Sequence, residues 1–242
     1  MCTVTYIPVK DTIFLTSNRD EKNWRLPALA PEIFDFSSGR ILFPKDGDAG
    51  GTWIAAHENG NVVIFLNGGL EAHIPAPPYR KSRGVILLDL IDHLTPYNSF
   101  LAINLNNIEP FTAIILDNNN LFECRWDGKT KHFKDLDKNA SYIWSSVTLY
   151  NDTIIEKRNN WFNDWLHKNS EPSQEDILHF HQFSGDGDSH NDLKMNREGK
   201  VYTVSVTSIA SSNTSLSMKY LDLQNNEQHL KELITESSKA GK

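Results

Sequence analysis

The sequence predicts an α+β protein whose sheets are mostly antiparallel and whose helices are segregated from them. Three observations carry this. Short β-prone runs come in pairs around turn residues at the start of the chain, helical patterns follow in its middle, and strand-like runs return at its end. Hairpins, helices and then strands do not make the alternating βα order of a parallel sheet.

Residues 4–9 and 12–17 are β-prone runs separated by Lys10-Asp11, which reads as a hairpin whose second run ends at SNRDE. A stretch interrupted by Pro27, Pro31 and Pro44 leads into the glycine-rich KDGDAGG. In TWIAAHENGNVVIFLNGG, residues 52–57 and 61–66 read as strands around Glu58-Asn59-Gly60, where Asn-Gly supplies the positive φ of a tight turn. After the proline-rich HIPAPPYR, RKSRGVILLDLIDHL reads as a broadly apolar helix, and residues 98–107 as a further short one. Residues 111–116 and 121–126 flank DNNN as a third hairpin, with 142–145 expected beside it.

Residues 153–168 read as a helix with Asp152 as N-cap. Ser173 opens SQEDILHFHQF with an acidic residue three positions on, close to a capping box. Residues 201–209 and 216–223 close the pattern as strands, and LKELITESSKAGK reads as a short helix running into a polar tail. No repeat, low-complexity linker or charge block divides the chain, so residues 1–242 are expected to form a single domain.

The bulk composition narrows the function classes. With 242 residues, 39% hydrophobic and 10% aromatic, the chain can bury a sizeable core, and no apolar run approaches membrane length, so stable membrane insertion is not expected. A net charge of -7, with no basic cluster beyond Arg80, Lys81 and Arg83, argues against nucleic acid as a partner. Lys10 and Asp11 interrupt the first apolar run, so a secretory signal is not expected and the cytoplasm is the expected compartment. Two cysteines make no disulfide framework, and no Cys or His spacing matches a structural zinc site. No oligomeric state is set by these features.

One of the two cysteines, Cys2, directly follows Met1. A small second residue permits removal of Met1 by methionine aminopeptidase, which would leave residue 2 with both a thiol and a free α-amine. The unperturbed amine titrates at about 7.7–8.0 and the thiol at about 8.5, so a fraction of the amine is already a base beside the sulfur at neutral pH. A nucleophile served by its own N-terminal amine is a recognised form of covalent catalysis. Arg19 lies one hairpin away, on the strand expected to pair with the one carrying Cys2, where a cation would lower the thiol pKa further. Asp20 beside it could orient the ammonium or hydrogen-bond the arginine. The plainer alternative is a surface Arg-Asp ion pair after a strand.

These residues resemble a family. MCTVTY, TSNRDE followed by a proline segment, GGTWIA and the NGG-to-proline loop are similar to the NRDE family, which takes its name from the tetrapeptide at Asn18 to Glu21 and includes the transport-and-Golgi-organisation type proteins. The resemblance implies an N-terminal nucleophile hydrolase fold, a four-layer αββα sandwich of two antiparallel sheets with helices outside. It implies Cys2 as nucleophile and, through its amine, as general base. Arg19 and Asp20 would support it as a similar pair does in bile-salt and penicillin V acylases, although those enzymes space the pair differently. Asn67, in FLNGG, resembles a strand-end asparagine of an oxyanion hole, joined by the Gly68 or Gly69 N–H; as a plain turn residue it would have no such part. Asn18, Trp53, Gly68, Tyr79 and Ser146 complete the expected substrate-binding set.

The chain also departs from the acylases. Ser145-Ser146 stands where related sequences carry Ser-Asn, and VYTVSVTSI lacks the arginine those enzymes have near their final strands, with Arg197 lying too early to match. Two functions therefore stand side by side. One is hydrolysis of a non-peptide, acyl-amide C–N bond through a thioester on Cys2, with a small-molecule substrate and no cofactor. The other is non-catalytic binding or trafficking of a lipid-like or haem-like small molecule in the same cleft.

Other groups read more plainly. Cys124, alternating with Phe122 and Trp126, is expected to be a buried structural thiol. His179 and His181, two apart on a helix, point to different faces and make no metal site. GDGDSHND lacks the ligand order and closing Glu of an EF-hand and reads as a flexible acidic loop. His57 is expected at the surface, and Trp24, Trp53 and Tyr79 as candidate walls of a pocket beside the N-terminus.

Overall fold

The computed structural model describes residues 3–234. In chain order its elements are β1 (Thr3–Val9), β2 (Thr12–Lys22), β3 (Leu29–Phe36), β4 (Gly39–Lys45), β5 (Ile54–His57), β6 (Val62–Asn67), α1 (Arg83–Ile91), α2 (Pro96–Ala102), β7 (Phe111–Asp117), β8 (Asn120–Trp126), β9 (Lys131–Leu136), β10 (Tyr142–Ser145), α3 (Asp152–Lys168), α4 (Gln174–Phe183), β11 (Asn196–Arg197), β12 (Val201–Ser212), β13 (Ser215–Asp222) and β14 (Glu227–Ile234). One sheet runs β10-β1-β2-β12-β13-β14, with β11 paired to β12; the other runs β3-β4-β5-β6-β7-β8-β9. Every described pairing is antiparallel.

Three apolar clusters fix the layer order. Val4, Tyr6, Leu15 and Ile209 of the first sheet meet Ile54, Val62, Ile64, Leu66 and Ile114 of the second, face to face. The alternate residues Val63, Phe65, Ala113 and Ile115 bury the outer face of the second sheet under Ile86, Leu87, Leu90 and Ile91 of α1 and Phe100 of α2. Ile7 on the outer face of the first sheet packs with Phe162 of α3 and with Ile177 and Phe180 of α4. Period-two alternation thus feeds two cores from one strand, and the result is the expected four-layer αββα sandwich.

Several local expectations need correction. SNRDE does not end a strand but lies inside β2, because Ser17 and Asn18 are paired to both β1 and β12 and the β12 ladder continues through Arg19, Asp20 and Glu21. The Pro-interrupted stretch forms β3 and β4: β3 is an edge strand with an irregular register between Leu29 and Glu32, where Pro31 is tolerated, and β5 pairs with β4 only at Ile41 and Leu42, away from Pro44. Residues 142–145 are not beside the third hairpin but pair with β1 in the other sheet, and β9 occupies the edge of β8. Residues 98–107 are helical only in part, since α2 starts with Pro96 at its first position and stops at Ala102. Asn151, not Asp152, caps α3 by accepting from the Ile154 N–H, whereas the box at Ser173 and Asp176 closes both ways. Residues 230–234, read as helix, pair with β13 as part of β14; the remainder of that segment lies outside the described residues. His57 is buried, its Nδ1 accepting from the Asn59 N–H in the β5–β6 turn.

The face-to-face core predicts a large cost for hollowing it. Ile64→Ala should lower the unfolding free energy by about 2–5 kcal/mol in a urea titration. A loss under about 1 kcal/mol would mean that the two sheets do not meet at that residue.

Candidate functional site

The polar residues of β2 are sorted by the pleat. Asn18 and Asp20 turn to the helix side of their sheet. The Asn18 amide donates to the carbonyls of His181 and Leu193 at 3.1 and 2.7 Å, and its Oδ1 lies 2.5 Å from His181 Nδ1. Asp20 accepts from the Thr203 hydroxyl at 2.6 Å and from the Tyr150 hydroxyl at 3.3 Å. Arg19 turns the other way, stacking its guanidinium over the Trp53 ring, 4.8 Å from the centroid. Arg19 and Asp20, neighbours in sequence, are therefore not partners in space.

The carboxylate that meets Arg19 is Asp46. It sits between Arg19 Nη2 and Arg25 Nη2, each at 2.6 Å, and also accepts from the N–H groups of Asp48 and Ala49. Burial alone would raise its pKa; the Ala49 N–H and the two guanidiniums outweigh burial and hold the carboxyl below its ordinary value. Arg19, Glu21, Arg25 and Asp46 form one wall of a cavity of about 390 Å³ at one end of the sandwich. Trp53 just before β5, Phe65 and Asn67 of β6, Tyr79, and the first turn of α1 from Ser82 to Gly84 form the rest, with Arg83 paired to Glu109 at 3.2 Å. Gly84 is required for that approach, because a Cβ there would stand 2.8 Å from the Thr52 carbonyl oxygen.

At the opposite wall, Asn67 ends β6 with a side-chain amide that has no hydrogen-bond partner among the described residues. Its backbone carbonyl accepts from the Ser146 hydroxyl at 2.9 Å. Gly68, held at φ +87°, spends its N–H on the Pro110 carbonyl at 3.1 Å. Ser146 itself is buried beneath the strand end and is not part of the cavity wall.

The profile of the family described as Transport and Golgi organisation 2 matches residues 1–242. The chain belongs to that family. No curated protein sequence gives a significant match. Among solved structures, a mutant and a further variant of conjugated bile acid hydrolase from Clostridium perfringens each superpose with a TM-score of 0.61 at 13% identity, covering 96% of this chain and 92% of theirs. An N-acylethanolamine-hydrolyzing acid amidase ortholog from Caenorhabditis elegans gives a TM-score of 0.55 at 10% identity, over 86% of this chain and 92% of that one. At such identities the likeness shows the N-terminal nucleophile hydrolase fold.

On this Transport and Golgi organisation 2 scaffold, the residues singled out by sequence separate into groups. Arg19, Trp53, Asn67 and Tyr79 share the cavity. Asn18 and Asp20 lie behind its wall, Gly68 and Ser146 brace the end of β6, and Trp24 is exposed outside the lining. Cys2 lies outside the described residues. Sequence reasoning missed Asp46, Arg25 and the Arg83–Glu109 pair: the Asp of KDGDAGG reads as an ordinary turn residue, and nothing local marks it as the partner of an arginine 27 positions earlier. Cys124 is buried, and its desolvation, with Glu123 and Asp135 nearby, pushes the thiol pKa up. In GDGDSHND, Asp188 and Asp192 are occupied by hydrogen bonds within the segment. Among the described residues no group of three or more His, Cys, Asp or Glu side chains is arranged to hold a metal ion.

Behind the wall, His181 is neutral. Because the Asn18 amide already donates to two carbonyls, its Oδ1 must accept, which places the proton on His181 Nδ1 and leaves Nε2 to accept from Thr5 Oγ1 at 2.8 Å. Burial and then the Arg158 charge push its pKa down to about 3 from 6.5. Below pH 6.5 the unfolded imidazole takes up a proton that the folded one refuses, so this contribution to stability is full above that pH and declines towards the folded value. Unfolding free energy measured between pH 7 and 5 should therefore fall less steeply for His181→Gln than for the native chain. Equal slopes would show that folded His181 takes up its proton as readily as the unfolded imidazole does.

Proposed function

We propose that the chain is an N-terminal cysteine hydrolase that cleaves an acyl-amide C–N bond of a small molecule after removal of Met1. In this reading the α-amine of Cys2 takes the thiol proton, the thiolate attacks the acyl carbon, and the ammonium returns the proton to the nitrogen as the C–N bond breaks. Water then hydrolyses the thioester. Arg19 favours the thiolate electrostatically, and the Asn67 amide is the available donor for the developing oxyanion. No cofactor enters the scheme.

One observation supports the reading: Thr3, the residue covalently joined to Cys2, is paired with Asn18, the residue before Arg19, and Arg19 lines the cavity. Thr3 itself faces the helices, bonded to Arg158, whereas Arg19, the residue after the partner of Thr3 on β2, faces the cavity. The fold neighbours add support. The bile acid hydrolase was crystallised with a cysteine at its second position replaced by alanine, and the other neighbour is an amidase. The same proposal takes residues 1–242 as a single domain, in line with the family match over the whole chain and the packing of β14 against β3. No described helix is long and apolar enough to cross a membrane, and placement in the cytoplasm belongs to the proposal.

A second reading has its own observation. The Gly68 N–H, one of the two backbone donors expected beside Asn67, is spent on Pro110, and Ser146, bonded to the Asn67 carbonyl, does not line the cavity. That favours a binding protein for a lipid-like or haem-like molecule. Three measurements separate the two. Intact mass should show the chain without Met1, a thiol reagent at pH 7 should label Cys2 far faster than Cys124, and turnover on an acyl-amide panel should vanish in Cys2→Ala. Retention of Met1 would remove the amine base and leave the binding reading.

A further inference from the structure

Arg158 on α3 is completely buried, yet among the described residues it has no carboxylate partner. Its guanidinium donates to neutral acceptors only: Nη1 to the Thr3 hydroxyl at 2.7 Å, Nη2 to the Asp192 carbonyl at 2.8 Å and Nε to the Asn191 carbonyl at 3.1 Å. One face lies on the Tyr150 ring, 3.6 Å from the centroid, and Arg197 stands over the same ring at 5.3 Å. Burying a cation without an anion is costly, and an apolar side chain of similar volume would fill the space without that cost. What the guanidinium achieves, and an apolar chain could not, is to tie three separate segments together at a single point.

Two of its contacts lead to the candidate site. Thr3 is the first described residue of β1, flanked by Asn18 of β2 and Ser145 of β10, and its side chain is held from the helix side by Arg158. The Tyr150 hydroxyl, at the far end of the ring on which Arg158 stacks, donates to Asp20, which Thr203 also fixes. The guanidinium therefore orients both the start of β1 and the acidic residue behind Arg19. We propose that Arg158 is a positioning residue for the N-terminal nucleophile, acting through the Thr3 hydroxyl and the Tyr150 ring without touching substrate. This rests on the hydrolase reading above, since it is Cys2 that the anchored Thr3 would hold in place. A displacement of the order of 1 Å at a reacting group can cost roughly a hundredfold in rate, so one anchoring bond is enough to matter.

Arg158→Met removes bonds to three segments and endangers folding, so the decisive variants are at Thr3. Thr3→Val keeps shape and burial but removes the acceptor, whereas Thr3→Ser keeps it. With an N-acyl aminocoumarin amide as substrate and Cys2→Ala as reference, Thr3→Val should lower kcat tenfold or more with KM within twofold, and Thr3→Ser should stay within twofold of the native chain in both. Where Arg158→Met folds, adding Thr3→Val to it should cause little further loss, because both remove one interaction. If Thr3→Val keeps native kcat while Cys2→Ala is inactive, the positioning proposal falls and the nucleophile stands. A loss confined to KM also overturns the proposal. If Cys2→Ala retains turnover, or the chain cleaves no amide, both fall together.

Discussion

The side-chain alternation of β2, a strand buried on both faces, is the constraint on which the rest of the structure depends. Each residue of Asn18-Arg19-Asp20 has to be satisfied inside the protein, and on alternate sides of one sheet. That requirement recruits separate elements. On the helix side, α4 and the segment before β11 supply carbonyls for Asn18, and Tyr150 and Thr203 supply hydroxyls for Asp20. On the other side, the loop after β4 must return to set Asp46 against Arg19, and Trp53 must present its ring. The cavity is the space left where these partners stop.

Its electrostatics follow from the same economy. The cations of the lining are not left bare: Arg19 and Arg25 share Asp46, Arg83 is paired with Glu109, and Lys81 reaches Asp89 of α1. The result is a mixed-charge pocket with aromatic walls, suited to a small organic molecule with polar groups rather than to a polyanion. Between the sheets and beneath the helices, apolar alternation on β6 and β7 feeds two cores at once, which holds the end of β6 that carries Asn67; the Phe65 N–H of the same strand ties down the Trp53 carbonyl.

Much of the architecture was legible from local patterns, because hairpins are set by nearby turn residues and helices by caps such as Ser173. What escaped was pairing at long range. Residues 142–145 join β1 rather than the nearer hairpin, and β3 and β4 survive their prolines because edges and short ladders do not demand every N–H. The end of the chain misled for a related reason: Leu230 and Leu233 share a helical spacing, but β13 offers them a ladder. Of the cavity lining, Arg19, Trp53, Asn67 and Tyr79 stand out in the sequence, whereas Asp46 does not, nor does the buried Arg158 behind β1. An arginine in a charged amphipathic helix reads as a surface residue until the helix is docked. Asp20 does not meet Arg19, because adjacency in sequence is separation in a strand.

In the proposed hydrolase, the Arg19 guanidinium at one end of the cavity would stabilise the Cys2 thiolate. The pH dependence of Cys2 alkylation, compared between the native chain and Arg19→Leu, tests it most directly. A cation beside the sulfur stabilises the thiolate, so the apparent thiol pKa should rise and labelling at neutral pH should slow once the guanidinium is gone. Superimposable profiles would contradict it.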